Sequence, residues 1–213
     1  MKEKSIFYLI GGPIAAGKST LMESKLYNTT NDPVNLFDHD REKLMVQLYA
    51  PDEKKMVKGL TIGKALTNAI EDSIDHAKDF MLQVHFTTEQ EPQINSYFHK
   101  YGNKFEMQAH FITVNNIAIL KNRAEKREFL GGHSSESKSI DKTYEQSFKN
   151  FLKYIPKLEK ATVWDNSEEF GFSRMQPQFV YVNGKLGYQN PDMTPFAHTL
   201  LLSAEDFLAN KSK

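Results

Sequence analysis

Short apolar runs rich in β-branched and aromatic residues recur at Ser5–Ile10, Val34–Phe37, Phe80–Phe86, Phe105–Thr113 and Ala161–Trp164, separated by stretches with helical spacing. That alternation predicts an α/β fold, a mostly parallel central sheet flanked by helices. Leu60, Ala65, Leu66, Ala69, Ile70, Ile74 and Ala77 fall near three- and four-residue spacing and predict a long helix leading into the third strand. Ile117, Leu120 and Ala124 begin another. Glu128–Asp141, "EFLGGHSSESKSID", is the richest interruption in glycine and serine and lies between two helical stretches, which predicts a mobile helical lid over about 123–147. Further on, "QFVYVNGKLGY" sets Asn183-Gly184 between alternating runs, a hairpin signal. With a helix over about Thr194–Leu208, it forms a C-terminal appendage of about 174–213 on a single domain.

Composition narrows the partners. Lysine plus arginine and aspartate plus glutamate number 27 each, so no net field attracts nucleic acid or an anionic membrane. The absence of cysteine removes disulfides, thiolate nucleophiles and cysteine-bound zinc, and suits a reducing compartment. No apolar run reaches membrane-spanning length, and the one after "MKEK" is too short for a signal peptide, so the expectation is a cytoplasmic protein without membrane contact.

The first apolar run passes directly into "GGPIAAGKST", in which Gly12, Gly17, Lys18 and Ser19 fit G-x-x-x-x-G-K-[ST]. Glycines let such a loop curl its N–H groups toward phosphate oxygens, and the helix that begins near Lys18 turns its positive end the same way. Lys18 then supplies a mobile charge for the β- and γ-phosphates, and Ser19 a ligand for Mg²⁺. The motif sits between a predicted strand and a predicted helix, the context its mechanism requires. The sequence therefore predicts a P-loop NTPase fold that binds ATP through Gly12, Pro13, Ala15, Ala16, Gly17, Lys18, Ser19 and Thr20.

"VNLFDHDREKL" places Asp38 and Asp40 at the carboxyl end of the second apolar run, where open α/β sheets hold their ligands. Alternation turns both side chains to the same face. In phosphoryl transfer one carboxylate, Asp40, orients the attacking hydroxyl and accepts its proton, while Asp38 lies on the metal side. Aspartate is equally at home as the N-cap of the helix that "REKLMVQLY" suggests, and one of the pair can serve as a cap. Arg123 and Arg127 stand four apart on one helix face before the glycine-rich stretch. Either they close over a triphosphate and neutralise the transferring phosphoryl group, or they pair at the surface with Glu125 and Glu128.

In order along the chain, "GGPIAAGKST", "FDHD", "RAEKREFLGGH", "SIDKTYEQSFKNF" and "WDNS" resemble the zeta toxin family and its non-toxin relatives among small P-loop kinases. The resemblance spans about Ser5–Ser167. It implies an ATP-dependent kinase acting on a hydroxyl of a small molecule, with UDP-N-acetylglucosamine the acceptor associated with the toxins proper, and a toxin would carry a neutralising protein partner. It also implies that Asp40 is the base, that Arg123 and Arg127 clamp phosphate, that Gly131-Gly132-His133 forms the lid turn, and that Asp165-Asn166-Ser167 lies near the nucleotide. Many relatives end the third strand with an acidic residue and two threonines, where this chain has Gln83, Val84 and His85. Thr143 and Gln146 occupy places that often hold arginines. His85 is either a substitute polar contact or a packed histidine, and Tyr144 and Phe148 read as core. The contrasting expectation is a nucleotide-binding module whose acceptor site has degenerated.

Overall fold

The computed structural model describes residues 4–24, 34–38, 42–43, 45–46, 55–131, 135–169, 172–173 and 175–211. Nine strands and six helices make up the elements considered below, starting with β1 (Ile6–Gly11), α1 (Lys18–Glu23), β2 (Val34–Phe37), α2 (Lys55–Asp75) and β3 (Asp79–Gln83). Next come α3 (Glu91–Tyr101), β4 (Glu106–Thr113), α4 (Ile117–Phe129), α5 (Ser137–Leu152) and β5 (Lys160–Asp165). The short β6 (Glu168–Glu169) and β7 (Phe172–Ser173) pair with each other, and β8 (Gln176–Val182), β9 (Lys185–Gln189) and α6 (Pro195–Lys211) complete the set.

The main sheet runs β2-β3-β1-β4-β5-β8-β9, parallel through its first five strands and antiparallel at β8 and β9. β1 lies between β3 and β4, so the chain leaves its carboxyl end at the point where successive strands are laid down on opposite sides. That crevice is where an open α/β sheet binds ligands.

Alternation along β1 builds both layers at once. Phe7 and Leu9 face a core with Leu66 and Ile70 of α2, Ile94 and Tyr97 of α3, and Leu201 and Ala204 of α6. Tyr8 and Ile10 face the opposite layer, with Leu21 and Met22 of α1, Leu120 and Ala124 of α4, and Ile140 of α5. Strands covered on both faces read as continuous apolar runs, which is why the sequence signal for them is plain.

Differences lie at the ends. The third strand stops at Gln83 rather than Phe86, although the Val84 N–H still donates to the Ile10 carbonyl at 2.9 Å. Phe86 has a positive φ of 52° and its backbone leaves the sheet there. Leu60 is exposed, so the buried stripe of α2 starts further along the helix. α3 opens on Pro92 in its first turn. The C-terminal hairpin and helix are present, and they extend the main sheet and close its core.

Candidate active site

The turn between β1 and α1 wraps back on itself. Gly12 has φ +137° and Gly17 φ +104°, and between them Ala15 also takes a left-handed conformation at +63°. A Cβ on Gly12 would stand 2.1 Å from the Ile112 carbonyl oxygen, and one on Gly17 2.5 Å from Nδ2 of Asn166. Both positions therefore need glycine for conformation and for space.

Three neighbours fix the turn. Thr143 Oγ1 on α5 accepts from the Ile14 N–H at 3.1 Å, and Asn166 Nδ2 donates to the Ala16 carbonyl at 2.8 Å. The Asn166 N–H donates to the Thr113 carbonyl at 2.8 Å, so the end of β4 also holds it. Asp165 supports that loop from the other side. Its Oδ1 accepts from the backbone N–H and hydroxyl of Ser167, and its Oδ2 accepts from Thr194 Oγ1 at 2.7 Å.

Beside the turn is a cavity of about 570 Å³, lined by Ala15, Gly17, Lys18, Ser19, Thr20, Gln83, Arg123, Arg127, Asn166 and Met175. Segments more than a hundred residues apart in sequence thus converge on one space. The Lys18 side chain is buried, and its ammonium donates to the carbonyls of Gly12 at 3.0 Å and Pro13 at 2.7 Å. Ser19 is exposed, its hydroxyl 3.3 Å from Gln83 Oε1 and 3.5 Å from Asp38 Oδ2.

On the far wall, Arg123 Nη2 donates to the Asn166 carbonyl at 2.8 Å. Arg127 Nη2 donates to Ser135 Oγ at 2.8 Å, while its buried Nε has no hydrogen-bond partner among the described residues. A half-buried guanidinium with an unused N–H beside a polar cavity fits an anionic ligand.

The structure thus brings together Gly12, Pro13, Ala15, Ala16, Gly17, Lys18, Ser19, Thr20, Asp38, Arg123, Arg127 and Asn166. Asp40, Gly132 and His133 lie outside the described residues. Thr143 and Gln146, which stand where arginines were expected, have structural work: Thr143 holds Ile14, and Gln146 Oε1 accepts from the Thr88 N–H at 3.2 Å. Tyr144 and Phe148 pack against the two cores, as their spacing suggested. His85 reaches the phosphate-loop turn, with its Nδ1 3.1 Å from Lys18 Nζ. Its sequence neighbourhood gave no sign of that contact, because His85 meets Lys18 only once β3 pairs with β1.

No family model and no curated protein matches the sequence. Solved structures do match in fold. A chain of the AvrRxo1-ORF1:AvrRxo1-ORF2 structure with ATP aligns with TM-score 0.63 at 11% identity, over 94% of this chain and 64% of that one. A chain of the PezAT chromosomal toxin-antitoxin system of Streptococcus pneumoniae aligns with TM-score 0.54 at 13% identity, over 97% and 87%. One from the Pnkp1/Rnl/Hen1 RNA repair complex aligns with TM-score 0.59 at 16% identity, over 72% and 47%. This chain thus spans about half of the RNA-repair chain and under two thirds of the AvrRxo1 chain. The fold, a mostly parallel α/β sheet with a phosphate-loop turn after its first strand, is shared with these chains, the one from the PezAT toxin-antitoxin system among them. Among the described residues, no helix is long and apolar enough to cross a membrane.

Proposed function

We propose that this protein is an ATP-dependent kinase that transfers the γ-phosphoryl group to a hydroxyl of a small molecule. The supporting observation is the convergence of Lys18, Ser19, Arg123 and Arg127 on one cavity beside a turn shaped by Gly12 and Gly17. The turn presents backbone N–H groups to the phosphates, Lys18 balances their charge, and Ser19 with Asp38 would hold Mg²⁺. When bound, the metal would supply positive charge that offsets the phosphates. Asp40, two residues past Asp38, orients the acceptor hydroxyl and takes its proton. Arg123 and Arg127 face the transferring group and stabilise charge that builds on its oxygens. Positioning and electrostatics account for nearly all of the acceleration in such a site.

A nucleotide sugar of the UDP-N-acetylglucosamine type is the first acceptor to test, on the resemblance to the zeta toxins. The named toxin-antitoxin and AvrRxo1-ORF1:AvrRxo1-ORF2 neighbours also make a protein partner part of this reading. The second reading, a binding module without transfer, draws on the neutral Gln83 beside Ser19.

Labelled ATP incubated with the protein and a metabolite extract separates the two readings. A labelled product other than ADP and phosphate is expected, and its absence in the presence of ATP binding favours the module. Asp40→Asn should keep ATP affinity and lose transfer; transfer at the normal rate would remove Asp40 from the role of base.

A further inference from the structure

β3 ends at Gln83 beside the phosphate-loop turn, and His85 follows two residues beyond it; neither side chain is accounted for by the roles above. Gln83 reaches Ser19, and His85 reaches Lys18. The ammonium of Lys18 has His85 Nδ1 at 3.1 Å, the Gly12 carbonyl at 3.0 Å and the Pro13 carbonyl at 2.7 Å.

An ammonium can only donate, so the 3.1 Å contact is a hydrogen bond in the tautomer that presents a lone pair at Nδ1 and carries its proton on Nε2, whereas the other tautomer donates from Nδ1 to the Gly12 carbonyl; the proposal below takes the first. The 3.2 Å approach of Nδ1 to the Gly12 oxygen is then two acceptors sharing one cation. His85 is fixed in place by its own backbone, whose N–H donates to Gln90 Oε1 at 2.7 Å.

We propose that His85 is a positioning residue that holds Lys18 in a resting place, so that an incoming phosphate must displace the imidazole from the ammonium. The proposal rests on the nucleotide-binding reading above and adds a competitor built into the chain. The two loop carbonyls belong to the turn itself, whereas His85 comes from another strand and is the partner whose loss leaves the turn intact. Phosphate gains the cation only by exchange, and the apparent affinity for ATP is lowered by the strength of the contact that is given up.

The direction of the effect separates this role from its rivals. Removing an acceptor that competes with the ligand strengthens binding, whereas removing a ligand contact or a structural support weakens it. We expect His85→Ala and His85→Phe each to bind ATP about three- to tenfold more tightly than the natural protein, the size set by one charge-assisted hydrogen bond partly replaced by water. His85→Asn puts an amide oxygen near the place of Nδ1 and should return the affinity to the natural value. Binding is read by calorimetric titration with ATP and, separately, with inorganic triphosphate, which isolates the phosphate site. Thermal unfolding of each variant without ligand shows that it is folded.

If both Ala and Phe variants bind ATP equally or more weakly, His85 does not compete for Lys18 and the proposal falls. A His85→Asn variant that behaves like His85→Ala overturns it as well. If the natural protein itself binds neither ATP nor triphosphate, it is the nucleotide reading that fails, a result distinct from unaltered binding across the His85 variants.

Discussion

Arg127 shows how much a single side chain is asked to do. It lines the cavity from α4, is tied to Ser135 through Nη2, and keeps a buried Nε with no partner among the described residues. Under the proposed kinase reading, Arg127 would act as charge spreads over the transferring group, so Arg127→Ala should reduce turnover on the order of a thousandfold. ATP affinity should change far less. Steady-state kinetics with the acceptor tests this, and an unchanged rate would assign Arg127 to a surface contact. His110 carries a different expectation. It is fully enclosed in the sheet, accepts from Trp164 Nε1 at 3.0 Å, and burial lowers its pKa from 6.5 to about 3. The unfolded chain binds a proton near pH 6.5 that the folded chain refuses until about 3. Stability is therefore full above 6.5 and falls as the pH drops through that interval, by at most about 1.4 kcal/mol per unit from this group. His110→Gln retains an acceptor without the proton, and the slope of urea-unfolding stability against pH should be shallower in that variant.

At the level of elements, the phosphate-loop turn depends on a helix that the motif does not contain. Thr143 is buried on α5, accepts from Ile14 and donates to the Ile140 carbonyl at 3.0 Å. Thr143→Val keeps the shape and removes the acceptor, leaving an N–H of the turn without its bond at a cost of about 1–3 kcal/mol. The midpoint of thermal unfolding should fall by roughly 2–4 °C per kcal/mol, and ATP should bind more weakly because the turn loosens. Thr143→Ser should restore both quantities; a Val variant with natural affinity would show that Ile14 needs no support from α5. This element also marks the limit of what was legible. The core strands and the turn could be read because both are local: apolar runs covered on two faces, and glycines spaced for one curl of backbone. Asp38, Arg123 and Arg127 were candidates by their position after a strand or before the glycine-rich stretch, and Asn166 by the resemblance alone. The contacts of Thr143, Gln146 and His85 could not, since each joins residues more than fifty apart whose encounter depends on helix docking and strand pairing. α3 was missed although Ile94, Tyr97, Phe98 and Tyr101 fall at three- and four-residue spacing and pack on the core.

At the scale of the molecule, the C-terminal segment continues the same sheet. β8 pairs antiparallel with β5 along Lys160–Asp165, and its Phe179 and Tyr181 are buried in the core with Leu201 and Ala204 of α6. Asp165, which braces the Asn166 loop, receives a hydrogen bond from Thr194 at the start of α6. The C-terminal segment therefore helps to complete one layer of the core and, through Thr194 and Asp165, braces the loop that carries Asn166 on the cavity wall. Each large apolar side chain it buries is worth about 1.5–3 kcal/mol, and several of them together match the whole stability of an ordinary domain. A chain ended before Gln176 would expose the edge of β5 and an apolar face over Ala161 and Val163, a surface prone to strand pairing between molecules. We expect that shortened protein to lose its cooperative unfolding transition and to aggregate, as followed by circular dichroism and light scattering. Thr194→Val in the full chain separates the two contributions: it should preserve the core and remove the bond to Asp165, so that ATP affinity falls while cooperative unfolding persists. A shortened chain that unfolds cooperatively and binds ATP normally would show instead that the five parallel strands suffice for both.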